Sequence, residues 1–257
     1  MKQNKLKQIW KDHKLVINSW LAIPNTWTAE ILANTGFDAC TIDMQHGLAD
    51  YQTAVNMLQA ISTTETVPLA RVPWNEPILI MRMLDAGAYG IVAPMINNKA
   101  EAKAFVESCK YPPIGQRSYG PVRASLKYGT DYFQHANEEV LAIAMIETRG
   151  GLENVEEIAS VEGLNGFYIG TIDLSISLGI KDLGNLHNPE LIVAMKKIME
   201  AAKKNNLIVG VHSKSNEETT ILRGLGVKMI TVLNDSNLFQ ASVKEVFDNA
   251  RKFLGRS

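Results

Sequence analysis

The stretch "VPLARVPWNEPILIMRMLDAGAYGIVAP", residues 67–94, holds one complete unit of the fold. Val67–Arg71 is a short apolar run that ends in a charge. The segment "NEPILIMRMLDAG" (75–87) then spaces its apolar residues as a helix does. Asn75 is expected as its N-cap, with Pro77 in the first turn and Gly87 at its end. A second apolar run follows at Gly90–Ala93. Strand, helix and strand in this order form a βαβ unit, which commits the two strands to a parallel sheet.

The same rhythm extends in both directions. Further apolar or β-branched runs lie at Leu15–Leu21, Ala39–Ile42, Val140–Ile146, Gly166–Ile169, Leu207–Val211 and Lys228–Leu233. Between them, "TAEILANTG" (28–36) reads as a helix closed by Gly36, and "SNEETTILRGLG" (215–226) as one capped at both ends. Eight such units over about 250 residues match a (β/α)₈ TIM barrel of the α/β class. The expectation is a single barrel domain over residues 1–257. A doubly wound open sheet is the alternative, but no GxGxxG follows the first strand. Two strand-to-strand intervals are long and call for insertions, placed at 111–138 and 175–190. Leu6, Ile9 and Trp10 mark a short N-terminal amphipathic helix whose lysines are expected in solvent.

Composition narrows the function. Of 257 residues, 46% are hydrophobic, enough for a sizeable core, and 26 basic side chains balance 27 acidic ones. That balance removes the electrostatic ground for expecting nucleic acid or an acidic membrane as partner. No run reaches the roughly 18 to 20 apolar residues needed to span a bilayer. The Lys-rich N-terminus is interrupted by Asn18, Ser19 and Pro24 and does not read as a signal peptide. Cys40 and Cys109 show neither CxxC spacing nor scaffold density, so two reduced thiols in a cytoplasmic protein are expected.

In a barrel, reactive groups sit where strands end. Strand 2 ends in Asp43, with Gln45 and His46 just after, and strand 3 ends in Arg71. Strand 5 leads to Glu147, strand 6 to Asp173, and strand 7 to His212. Each has an ordinary reading: Glu147 as a helix-start carboxylate, Asp173 as an N-cap, Arg71 as a rim ion pair, His46 as a backbone partner, His212 as pocket lining. Their convergence on one mouth is the signal, because charge there is costly unless paired or bound to a metal. Glu147 and Asp173, on neighbouring strands, suit a hard cation such as Mg²⁺ or Mn²⁺. Arg71 suits a carboxylate or enolate oxygen. His46, with Asp43 three residues before it, suits an oriented general base.

The segments "IDMQHG", "ARVPWNEP", "YPPIGQRSYGP" and "IETRGGLENVEEIASVEGLNGFYIGTIDLSISLG" together resemble the HpcH/HpaI aldolase family, class II pyruvate aldolases acting on 4-hydroxy-2-oxo acids. The resemblance runs through nearly the whole chain. It implies reversible, divalent-metal-dependent cleavage to pyruvate and an aldehyde through a metal-stabilised enolate, with Mg²⁺, Mn²⁺ or Co²⁺ as cofactor. It implies Glu147 and Asp173 as metal ligands, Arg71 on the keto oxygen, His46 steadied by Asp43 as acid–base, and the N–H groups of Ile172 and Asp173 on the carboxylate. It further implies a homohexamer with an exchanged last helix. Arg123, in the long loop after strand 4, is expected to reach the aldehyde or a neighbouring subunit. The chain departs from its relatives at Gln45, where many carry Glu, at Thr171, where many carry Pro, and at Met145, where the best-studied branch has Gln.

Two other readings stand beside the aldolase. One is a citrate- or malyl-CoA-lyase-like enzyme, for which no basic groove for nucleotide phosphates is evident. The other is a non-catalytic barrel that binds a keto acid.

Overall fold

The computed structural model describes residues 2–255. Met1, Arg256 and Ser257, the ends of the span expected as one domain, lie outside the described residues. Helix α1 (Lys5–Lys11) precedes strand β1 (Val16–Leu21). There follow α2 (Thr26–Thr35), β2 (Ala39–Asp43), α3 (Tyr51–Ile61), β3 (Val67–Arg71), α4 (Pro77–Asp85), β4 (Gly90–Ala93) and α5 (Lys99–Cys109). The first insertion folds as α6 (Val122–Tyr128) and α7 (Tyr132–Glu139). Then come β5 (Leu141–Ile146), α8 (Arg149–Glu153), α9 (Val155–Ala159), β6 (Gly166–Ile169) and α10 (Thr171–Leu178). The chain ends with α11 (Pro189–Lys204), β7 (Ile208–His212), α12 (Asn216–Leu225), β8 (Met229–Asn234) and α13 (Asp235–Phe253).

The strands pair in sequence order and all in parallel, and β8 returns to β1, so the sheet closes into a barrel. This excludes the open sheet. Every residue of β2, β3, β4, β5 and β6 is buried, as strands covered on both faces require. Register sets the mouth. Asp43 lies opposite Arg71 between β2 and β3, and Ile146 opposite Ile169 between β5 and β6.

Local chemistry explains the helix ends. Gly36 and Gly226 close α2 and α12 in the left-handed conformation, and Ser215 accepts from the Glu218 N–H at the start of α12. At α4 the expectation fails: Glu76 occupies the N-cap, without a side-chain cap. Asn75 instead donates its amide to Glu101 O at 3.1 Å, so a tertiary contact takes the side chain that a cap would use. Along α1, Leu6 is buried as expected. Lys7 is not fully solvated; it is half-buried and donates to the Glu138 carbonyl, and burial lowers its pKa.

Candidate functional site

Strand register alone brings the first pair together. Asp43 and Arg71 form a two-point ion pair, Nε to Oδ1 at 2.8 Å and Nη2 to Oδ2 at 2.6 Å. Burial works against ionisation of Asp43. The Arg71 guanidinium outweighs it, with further help from the His46 N–H and the Trp20 indole, so the carboxyl is held below its usual range. Asp43 Oδ1 also accepts from the N–H groups of Gln45 at 3.0 Å and His46 at 3.3 Å. Asp43 therefore fixes the loop that carries His46, rather than orienting the imidazole as expected. That loop turns tightly at Gly47, where a Cβ would lie 2.2 Å from Asp43 O. His46 itself is exposed, and its ring makes no hydrogen bond among the described residues.

Arg71 keeps donors in reserve. Nη1 has no acceptor among the described residues, and the guanidinium carbon stands 4.9 Å from the centre of the Trp20 ring. A cation so placed is rigid, desolvated on one face and open on the other.

Glu147 follows β5 and is 3% exposed. Its Oε1 accepts from the Met95 N–H at 2.7 Å, and no lysine or arginine pairs with it among the described residues. Burial raises its pKa; the Met95 N–H opposes this, the charge of Asp173 adds to it, and Arg71 opposes it. Met95 holds a left-handed backbone (φ 57°) to make this contact, a conformation that costs a non-glycine residue about 1–2 kcal/mol. Asp173 sits in the first turn of α10. The N-cap of that helix is Gly170, so Asp173 is not the cap of the ordinary reading. As first-turn positions of α10, Thr171, Ile172 and Asp173 have N–H groups with no partner within the helix. Thr171 takes the first helical position, where relatives' Pro would have been equally at home.

A cavity of about 800 Å³ lies over these groups, at the C-terminal ends of the strands. His46, Arg71, Met145, Ile172, Asp173 and His212 are in its wall. Lys214, Asn237 and Leu238 also line it, although the sequence reading did not select them. The signal was available: all three lie in the segments just after β7 and β8, where the barrel rule looks.

Arg123 is elsewhere. On α6 it donates Nη1 to Ala86 O at 2.6 Å and Nη2 to Leu58 O at 3.3 Å and Ser62 Oγ at 2.5 Å. These acceptors cluster at the C-terminal ends of α3 and α4, at the opposite end of the barrel from the mouth. The expectation that Arg123 meets the substrate in this cavity is corrected: its guanidinium caps helix carbonyls.

The two carboxylates fit a hard divalent cation. Glu147 is a buried anion with one N–H contact and no basic partner, and Asp173 adds a second anion facing it. Among the described residues no cluster of three His, Cys, Asp or Glu forms. Two protein ligands would leave a cation's other positions to water and substrate oxygens.

The chain resembles known proteins along nearly its whole length. The family model for HpcH/HpaI aldolase/citrate lyase matches residues 17–240. A hydroxypyruvate/pyruvate aldolase of Rhizorhabdus wittichii is 38% identical over 248 residues, covering 96% of this chain and 99% of that one. A 5-keto-4-deoxy-D-glucarate aldolase of Klebsiella pneumoniae is 32% identical over 251 residues, covering 97% of each. Among solved structures, an HpcH/HpaI aldolase/citrate lyase family protein of Burkholderia cenocepacia superposes with a TM-score of 0.87 at 32% identity, over 96% of this chain and 99% of its own.

Proposed function

The chain belongs to the HpcH/HpaI aldolase/citrate lyase family, and from this we propose how its residues carry out carbon–carbon cleavage. It is a carbon–carbon lyase, an aldolase releasing pyruvate from a 2-oxo acid. Our reading of the substrate is a 4-hydroxy-2-oxo acid, cleaved reversibly to pyruvate and an aldehyde. The name of the Rhizorhabdus relative adds hydroxypyruvate as a second donor. The observation that carries this reading is the convergence, at one mouth, of Arg71 and Asp173 in the cavity wall, of Glu147 within electrostatic reach of both, and of the first-turn N–H groups of α10.

The roles follow from what each group can donate or accept. The substrate carboxylate takes the N–H groups of Ile172 and Asp173 at the positive end of α10. Arg71 donates to the C2 oxygen through the hydrogens that Asp43 leaves free. His46 takes the proton of the C4 hydroxyl. The C3–C4 bond then breaks, and its electrons pass to the C2 oxygen as the enolate of pyruvate. Negative charge grows beside a guanidinium already fixed in place, so little reorganisation is needed. Glu147 and Asp173 would hold Mg²⁺, Mn²⁺ or Co²⁺, a Lewis acid that lowers the energy of such an enolate. In the reverse direction His46 returns its proton to the new hydroxyl.

The exposed apolar side chains of α13, among them Phe239, Val243, Val246 and Phe247, support a homo-oligomer, and we put its order at six. Cys40 and Cys109 are buried free thiols, their pKa values pushed up to about 12 by burial, and we place the protein in the cytoplasm. No described helix is long and apolar enough to cross a membrane.

The test is exchange of the methyl protons of pyruvate for deuterium, followed by proton NMR. We expect exchange with Mg²⁺, Mn²⁺ or Co²⁺ and none with EDTA. Absence of exchange with all three metals would overturn the aldolase reading.

A further inference from the structure

His212 ends β7, lines the cavity and packs edge-on against Trp20, with ring centres 4.7 Å apart. Beneath it a chain of hydroxyls runs into the barrel. His212 Nδ1 is 2.8 Å from the Tyr168 hydroxyl, which is 2.7 Å from Thr231 Oγ1. Thr231 in turn meets the side-chain amide of Asn18 at 2.8 Å. Asn18, Tyr168 and Thr231 are wholly buried, so this chain has no water to disorder it.

The protons in the chain can be placed one by one. One end of the Asn18 amide lies 3.2 Å from Ser19 O and 3.1 Å from Ala39 O. Carbonyl oxygens only accept, so that end is the NH₂ group. The other end is then oxygen, and Thr231 donates to it. A hydroxyl has a single proton, so Thr231 must accept from Tyr168. By the same count Tyr168 must accept from His212, and Nδ1 carries the hydrogen. Burial, reinforced by the charge of Arg71, pushes the imidazole down to about 4, so the ring is neutral at physiological pH. A neutral imidazole has one N–H. Nε2 is therefore a bare lone pair on a ring in the cavity wall, and no described residue donates to it.

We infer that His212 Nε2 accepts a hydrogen bond from a substrate hydroxyl beside the reacting carbons, and so selects hydroxylated substrates. The inference rests on the aldolase reading for the identity of the ligand. Carboxylate, carbonyl and enolate oxygens offer no proton to a bare nitrogen, whereas a hydroxyl does. Arg71 shares Trp20 with His212, which keeps Nε2 near the keto end. Two hydroxyls meet this description: that of hydroxypyruvate as donor, or the 2-hydroxyl of an α-hydroxyaldehyde as acceptor. A site built to pair a hydroxyl discriminates against the analogue without one, because its own acceptor is left unpaired. Asn18, Thr231 and Tyr168 are positioning residues in this scheme; they act on the substrate by fixing the tautomer of His212.

The tautomer is read directly from long-range ¹H–¹⁵N correlations of histidine-labelled protein at neutral pH, without metal or substrate. The His212 signals are those missing from His212→Gln. We expect a protonated Nδ1 and a bare Nε2; the opposite tautomer overturns the inference. Kinetics supply the second arm. Glycolaldehyde is compared with acetaldehyde, both with pyruvate, and hydroxypyruvate with pyruvate, both with acetaldehyde. In His212→Phe the hydroxyl-to-deoxy ratio of kcat/KM should fall about tenfold for one of these pairs, the worth of one hydrogen bond, and that pair identifies the hydroxyl. His212→Gln, which restores an acceptor, should recover part of the ratio. Unchanged ratios in both pairs overturn the inference. If wild-type protein shows neither aldol turnover nor pyruvate exchange, the aldolase reading fails, while the tautomer still stands or falls by its spectrum.

Discussion

Asp43 and Glu147 are buried almost equally at the same mouth, 2% and 3% exposed, yet their surroundings answer charge in opposite ways. Asp43 has its counter-ion built in. Arg71 stands opposite it in the strand register and pairs with both oxygens, so ionisation is favoured despite burial. For Glu147, burial and the charge of Asp173 outweigh the Met95 N–H and the more weakly felt Arg71, so ionisation is disfavoured. The first pair is complete in the protein alone and serves to hold Arg71 rigid. The second leaves negative charge unanswered, which is what the proposed cation site requires before its cation arrives. The mouth thus divides into a finished half that positions and an unfinished half that recruits.

Four measurements would break or sharpen that division. The largest effect is expected from Glu147→Ala, which removes half of the recruiting pair. Metal-dependent pyruvate exchange should fall to background by proton NMR; retained exchange would mean that Glu147 holds no metal. Next is Arg71→Met, which leaves Asp43 buried without its partner. Losing one partner of a buried pair costs about 3–5 kcal/mol, measurable by urea denaturation. Loss of one donor at a developing oxyanion costs about 10²–10³ in rate, so exchange should drop by that factor at temperatures where the variant is folded. Arg123→Ala is the control outside the mouth. It removes the contacts to Ala86, Leu58 and Ser62 and should cost about 1–2 kcal/mol, while the relative rates with different aldehydes stay as in wild type.

The smallest effect separates the two carboxylates by sign. Asp43 has a folded pKa below its ordinary 3.8, so its stabilisation is present above that value and is lost as pH falls through the lower folded value. Glu147 has a folded pKa above its ordinary 4.5, so in metal-free protein stability is lost as pH rises through that region. Glu147→Gln should therefore raise the metal-free Tm at neutral pH, by about 2–4 °C for each kcal/mol of relieved repulsion. Added Mn²⁺ should raise the wild-type Tm and leave that of Glu147→Gln unmoved. A wild-type Tm indifferent to divalent cations would erase the contrast.

The barrel was legible because its punctuation is local. Glycine, proline and apolar runs mark strand ends, and β3, β4 and β6 lie where the sequence put them. Candidates for the site were legible for a related reason: in a barrel, being the last polar residue of a strand is already a location. What stayed hidden depends on contacts between distant segments. Asn75 looked like a cap, but Glu101 claims its side chain. Asp43 and His46 looked like a dyad three residues apart, but the β2–β3 register gives Asp43 to Arg71. Arg123 lies in an insertion, and nothing local says that α6 places it against the ends of α3 and α4. His212 was named without a chemistry, because its chemistry lies in the order of protons through β6, β8 and β1.

Gly170 has no functional group, yet a Cβ there would lie 2.6 Å from Glu147 Oε2 and 2.7 Å from Glu147 Cβ. A saturation screen scored on activity would count it among the essential positions, and would misfile it as chemistry. Its essential property is vacancy: the Glu147 side chain occupies the room that every other amino acid would need. One base change in that codon would disarm the enzyme with every acid, base and ligand still in its gene.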